Sequence, residues 1–175
     1  VYPERKVIEL MEKALLILND NSIPILIRIA LFHYLFGYIH PFYDGNGRTS
    51  RFISSYLLSS EFEYLIGYRL SYTIRENLKQ YYNAFQVCND TKNKGDLTPF
   101  IIMFLTIINE SFKNLYEALC KRMDALNKYR DIIQNISEIS EDSDKEFCYI
   151  LVQSALFSNR GIPKKGLCEV LEISP

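Results

Sequence analysis

Apolar residues recur at three- and four-residue intervals along almost all of the 175 residues, and only seven glycines interrupt them. That spacing is helical, because side chains at i, i+3, i+4 and i+7 share one helix face, whereas a half-buried strand alternates strictly. Val7, Met11, Ala14 and Leu18 form one such stripe, with Leu10 and Leu15 beside it. The segment from Ile25 to Ile39 is apolar on almost every side and is expected to be the central buried helix. It should end near His40, since Pro41 pushes its predecessor out of the α region. After a polar, glycine-containing loop, Phe52, Ile53, Tyr56 and Leu57 mark another helix, and Leu78, Tyr81, Tyr82 and Phe85 a fourth. Thr98-Pro99 reads as an N-cap followed by proline at the first helical position, opening a long helix to about Ile136. No segment alternates as a strand and no repeat is present, so the fold class is all-α.

The acidic stretch Ser137–Asp144 predicts a linker. Short helices follow near Glu146–Phe157 and Lys164–Leu171, around a Gly161-Ile162-Pro163 turn. The expected organisation is therefore a core over 1–136, a linker over 137–144 and a small helical module over 145–175. A chain that starts at Val1 and stops at Pro175, within an apparent element, reads as a piece of a longer protein.

A net charge of -1 gives no global field to attract nucleic acid or an acidic membrane, so any anion must be held by a local site. Four scattered cysteines without a C-x-x-C pair, and only two histidines, make a zinc site improbable and fit a reducing cytoplasm. Arg28 interrupts the longest apolar run, and Phe100–Leu105 falls far short of the ~20 residues of a membrane span.

The chemistry concentrates in His40-Pro41-Phe42-Tyr43-Asp44-Gly45-Asn46-Gly47-Arg48-Thr49-Ser50-Arg51. A histidine at a helix end is followed by a carboxylate and a glycine-bracketed turn. A helix then begins with Arg48 and Arg51 at i and i+3 on one face. Glycines permit a tight turn and close approach of backbone to a ligand. The free N–H groups at a helix start favour anions, and guanidinium forks suit phosphate oxygens. A lone carboxylate beside such a cradle is how Mg²⁺ is usually held, with waters and phosphates supplying its other ligands. These residues alone imply a polyphosphate site. Histidine exchanges a proton near neutral pH, so His40 is a candidate general base for a hydroxyl that attacks phosphorus.

This segment resembles the motif of the Fic family, H-x-F-x-[D/E]-G-N-G-R-x-x-R, and matches it at every specified position. Ala30-Leu31-Phe32-His33-Tyr34 before it, and Tyr81-Tyr82 and Gly95-Asp96-Leu97-Thr98-Pro99-Phe100 after it, also look like the family, over roughly residues 1 to 120. The resemblance implies a protein adenylyltransferase that moves AMP from ATP, with Mg²⁺, onto a hydroxyl side chain of a protein target, possibly itself. His40 would be the base and Phe42 a buried anchor of the loop. Asp44 would bind Mg²⁺. The Gly45-Asn46-Gly47 backbone with the Asn46 side chain would form an anion hole, continued by Thr49 and Ser50, and Arg48 and Arg51 would hold the β- and γ-phosphates. Tyr81, Tyr82 and Asn89 have the spacing of family residues near adenine and ribose. His33 is read as a satisfied core histidine. Relatives that act as kinases carry lysine where Gly47 stands, so Gly47 favours AMP transfer; phosphocholine transfer is also known in the family.

Two features depart from the family pattern. Only Val1-Tyr2-Pro3 resembles the end of the flap that holds a target segment. The C-terminal part, from Tyr149 to Ser174, looks like the start of a winged helix-turn-helix, which allows an alternative: a DNA-binding regulator whose core senses nucleotide. An interaction scaffold is a third reading, disfavoured by the intact motif. Many relatives are held off by a helix carrying [S/T]-x-x-x-E-[G/N], whose glutamate pairs with the second motif arginine. Thr106–Glu110 and Ser137–Glu141 approach this pattern but lack its last residue. Arg51 is therefore expected to have no glutamate partner in this chain, and an inhibitory helix would precede Val1 or come from a partner.

Overall fold

The structure is a computed structural model that describes residues 3–139 and 141–171. Those residues form eight α-helices and no strand. They are α1 (Glu4–Leu18), α2 (Ile25–Ile39), α3 (Asn46–Glu61), α4 (Tyr64–Glu76), α5 (Leu78–Asn89), α6 (Thr98–Asn135), α7 (Asp142–Phe157) and α8 (Lys164–Val170). The all-α expectation holds. The flap-like Val1 and Tyr2, Ser140 of the second glutamate pattern and residues 172–175 lie outside the described residues. The chain divides into two compact units, Val1–Leu115 and Tyr116–Pro175.

In the first unit α2 is the centre, as its all-round apolarity demands. Ile29, Ala30, Phe32, His33, Tyr34, Phe36 and Ile39 are all buried. One side packs on α1 through Phe32, Phe36 and Ile39 against Val7, Leu10, Met11 and Leu18; Leu15 is 45% exposed and takes no part. The other side meets Phe100 and Phe104 at the start of α6, with Leu58, Leu70, Ile74 and Ala84 completing the cluster. Asp96 accepts the Thr98 N–H at 2.9 Å, so the cap of α6 sits two residues before Thr98 and Pro99 falls one position inside the helix.

Helix α4 is absent from the sequence reading above, although Ile66, Leu70, Thr73 and Ile74 occupy one face at helical spacing and are all buried. The face of α3 also differs from expectation. Phe52 and Tyr56 are 70% and 64% exposed, while Ser50, Ser54 and Leu58 point inward. Ser54 faces inward onto His33 of α2, while Ser55 and Ser59 turn toward α4, which approaches closely. A Cβ on Gly67 of α4 would lie 2.1 Å from Ser59 Oγ and 2.5 Å from the Ser55 carbonyl oxygen of α3. Gly67→Ala should thus force α3 and α4 apart and cost about 1–3 kcal/mol of stability, the range for overpacking. Urea denaturation would show a lower midpoint at unchanged slope; an unaltered midpoint would contradict the contact.

In the second unit, Leu126 and Ile133 of α6, Ile150 of α7 and Cys168 of α8 are buried. Arg130 lies over the Tyr149 ring, 4.7 Å from its centroid, and donates to its hydroxyl. Helix α7 begins at Asp142, four residues before the expected start, because Asp142 and Asp144 in its first turn favour a helix N-terminus. No helix among the described residues is long and apolar enough to cross a membrane, and all four cysteines are free.

Candidate active site

Helix α2 ends on His40, whose N–H still reaches the Phe36 carbonyl at 3.1 Å while its own backbone turns into the left-handed region at φ 56°. A non-glycine residue there costs about 1–3 kcal/mol and persists only where the surroundings enforce it. Here the following proline forbids another helical turn. His40 is exposed and lines a cavity of about 700 Å³ with Val7, Tyr38, Phe42 and Tyr43.

The loop that follows is tied together by Asn46, which is 3% exposed. Its Oδ1 accepts the Phe42 N–H at 2.9 Å and its Nδ2 donates to the Phe42 carbonyl at 2.6 Å, closing the turn from inside. Gly45 sits at φ 84°, a conformation that glycine alone adopts freely, and places α3 so that its first bond runs from Thr49 N–H to the Gly45 carbonyl at 2.8 Å. No side chain caps α3, and the N–H groups of Asn46, Gly47 and Arg48 have no partner among the described residues. They form an anion-attracting end of the kind that binds phosphate.

Asp44 accepts the Gly45 N–H on one oxygen at 2.6 Å and Arg48 Nη2 on the other at 2.8 Å. That ion pair is largely exposed on both sides, so it contributes little stability and is easily exchanged for a ligand. Arg51 folds back over Gly47: a Cβ there would meet Arg51 Nη1 at 3.3 Å, so the missing side chain of Gly47 makes room for the guanidinium. Arg48 and Arg51 line a second cleft, of about 540 Å³, between α3 and α4.

Several expectations change. The Asn46 side chain, expected to face an anion, instead bonds the Phe42 backbone with both its oxygen and its nitrogen. Phe42 is 52% exposed rather than buried; its ring only edges Phe36, with centroids 6.0 Å apart, and the loop is anchored through its backbone. Thr49 Oγ1 donates to the Gly45 carbonyl at 3.0 Å. Ser50 is 2% exposed and donates to the Gly47 carbonyl at 3.3 Å, so neither hydroxyl is presented to a ligand. Tyr81 is 4% exposed, with its hydroxyl 2.8 Å from His33 Nε2, and cannot touch a nucleotide. His33 is the satisfied core histidine expected, with Nδ1 2.8 Å from Ser54 Oγ.

Residues 1–58 match the sequence pattern of the Fic/DOC family. The protein adenylyltransferase Fic of Drosophila grimshawi is 35% identical over 98 residues, 56% of this chain and 18% of the relative. That of Drosophila melanogaster is 34% identical over 112 residues, 64% of this chain and 20% of the relative. This chain is similar to the Fic/DOC family. It spans about a fifth of the length of these relatives. A Fic family protein from Desulfovibrio desulfuricans G20 superposes over 100% of this chain and 46% of its own, with a TM-score of 0.57 and 22% identity, and shares the fold.

Among the described residues of the first unit Arg51 has no carboxylate partner. Glu110, the nearest approach to an inhibitory glutamate in α6, instead accepts Asn77 Nδ2 at 3.0 Å. Glu141 precedes α7 and accepts Ser143 Oγ at 3.5 Å. On α5, Tyr82 is 61% exposed. Asn89, also exposed, ends the helix and receives the Tyr34 hydroxyl on its Oδ1 at 2.7 Å, leaving its amide nitrogen for a ligand.

Proposed function

We propose that this chain transfers AMP from ATP to a hydroxyl side chain of a protein. The observation that carries the reading is the uncapped start of α3, with Arg51 free of any carboxylate among the described residues of its unit and His40 at the other end of the same loop. The free N–H groups of Asn46, Gly47 and Arg48 hold the α- and β-phosphate oxygens, and the guanidinium groups of Arg48 and Arg51 take the β- and γ-phosphates. His40 accepts the proton of the incoming hydroxyl as its oxygen bonds to the α-phosphorus. The bond from that phosphorus to the oxygen bridging toward the β-phosphate breaks, and pyrophosphate leaves. Tyr82 and Asn89 contact the nucleoside.

Asp44 suits Mg²⁺. Its carboxylate is exposed and lightly held, and no cluster of three or more His, Cys, Asp or Glu exists among the described residues to bind a metal without phosphate oxygens. When bound, Mg²⁺ neutralises charge developing on the phosphates. Helix α8 offers Lys164 and Lys165, the latter 3.9 Å from Glu169, and no observation favours the DNA-binding regulator.

ATP labelled at the α-phosphate should leave its label on protein, and ATP labelled at the γ-phosphate should not. Chelation of divalent cations should stop transfer. Protein labelled from the γ-phosphate would overturn the reading in favour of phosphoryl transfer.

A further inference from the structure

Four polar side chains are sealed inside the aromatic core beneath the phosphate turn: His33 of α2, Ser50 and Ser54 of α3, and Tyr81 of α5, none more than 4% exposed. A group of this kind is costly unless every member is bonded. His33 Nδ1 lies 2.8 Å from Ser54 Oγ, and Nε2 lies 2.8 Å from the Tyr81 hydroxyl. The ring also packs at a tilt against Phe104, with centroids 4.6 Å apart, and stacks on Phe100 at 6.1 Å, which restricts its plane. At the other end Ser50 Oγ donates to the carbonyl of Gly47 at 3.3 Å. That carbonyl and the Arg48 N–H belong to one planar peptide, so orienting the first orients the second, one of the free donors of the anion turn.

Burial, followed by the nearby Arg51 guanidinium, pushes His33 down to about 3, while a hydrogen bond to the Ser50 backbone opposes them. The ring is therefore neutral at working pH, with one N–H and one bare nitrogen. Its two nitrogens face the Ser54 and Tyr81 hydroxyls, each of which can donate or accept, so one ring satisfies both. Tyr81 is held above the usual phenol range mainly by burial, with Arg51 and the Ser50 side chain pulling the other way. Arg51, one residue after Ser50 on α3, thus lies within electrostatic reach of both groups.

We propose that Tyr81 and His33 are positioning residues that brace the first two turns of α3, and with them Arg51 and the anion turn, for the triphosphate. The inference rests on the function proposed above. Tyr81 belongs to the machinery from below: it acts on the nucleotide through α3 rather than by contact.

Tyr81→Phe is nearly isosteric and removes only the hydroxyl that faces His33 Nε2. The test compares Mg·ATP affinity, KM for ATP, kcat and thermal stability in the wild-type chain, in Tyr81→Phe and in Thr73→Val. Thr73 is equally buried, and its hydroxyl bonds only the Arg69 carbonyl on α4, so that variant reports a buried hydroxyl lost elsewhere in the same unit. Tyr81→Phe should weaken ATP binding and raise KM about tenfold with kcat within about twofold, the scale set by one unmet buried hydrogen bond. Thr73→Val should lower stability alone. The Tyr81→Phe and His33→Leu effects on KM should be less than additive, because the double variant leaves no unpaired ring nitrogen behind. If Tyr81→Phe loses stability while ATP binding matches wild type, the bracing role is wrong. If wild type itself binds no ATP, the proposed function fails first, so the two failures are distinguishable.

Discussion

His40→Ala is expected to abolish detectable AMP transfer while leaving Mg·ATP affinity within a few fold of wild type. General-base catalysis contributes roughly 10²–10⁴-fold, and His40 brings the imidazole to the 700 Å³ cavity, which Glu4 also lines from α1. The groups assigned to the phosphates belong to the turn and α3, and none of them hydrogen-bonds to His40. The variant should also fold. His40 is exposed and holds the left-handed conformation as a non-glycine residue already, so alanine adds no new backbone strain. The two quantities are read separately, transfer by α-labelled ATP and affinity by calorimetry. Substantial transfer by His40→Ala would remove the base from the mechanism. A collapse of ATP binding would mean instead that the histidine end of the loop shapes the phosphate site.

The backbone of this site was legible in the sequence because its constraints are local. Pro41 ends α2, Gly45 permits the left-handed turn, and Arg48 and Arg51 sit one helical turn apart whatever surrounds them. The side-chain roles were less legible wherever one residue type serves two purposes. Asn46 has a donor and an acceptor, which suit a phosphate and a backbone equally well; only burial shows that Phe42 takes both. Tyr81 and Tyr82 are adjacent and identical, yet a 100° step around α5 sends one into the core and the other to solvent. Phe52 and Tyr56 marked helix α3 correctly but not its buried face, which carries Ser50, Ser54 and Leu58. Helix α4 was visible in principle, since Ile66, Leu70, Thr73 and Ile74 repeat at three and four residues, but tyrosines and an arginine between them dilute the stripe.

The second large effect belongs to Arg51. In the resting chain Arg48 is already bonded to Asp44, whereas Arg51 is stacked over Gly47 without a carboxylate partner among the described residues of its unit. A guanidinium in that position has no competing acid to leave when a phosphate arrives, and its planar fork can meet two oxygens at once. Deleting it removes a charge-assisted hydrogen-bonding group, worth about 1.5–3 kcal/mol, which is roughly ten- to a hundredfold in affinity. Arg51→Ala should therefore weaken Mg·ATP binding by that factor. If the guanidinium serves the γ-phosphate, Mg·ADP binding should hardly change, so the preference for triphosphate over diphosphate should disappear. Arg51→Lys should restore only part of it, because an ammonium offers a point charge in place of the fork. Glu110, which approaches the inhibitory pattern in α6, is bonded to Asn77 instead. Equal losses for ATP and ADP in Arg51→Ala would move the residue from the γ-phosphate to the inner phosphates. Unchanged affinity for both would remove it from the site.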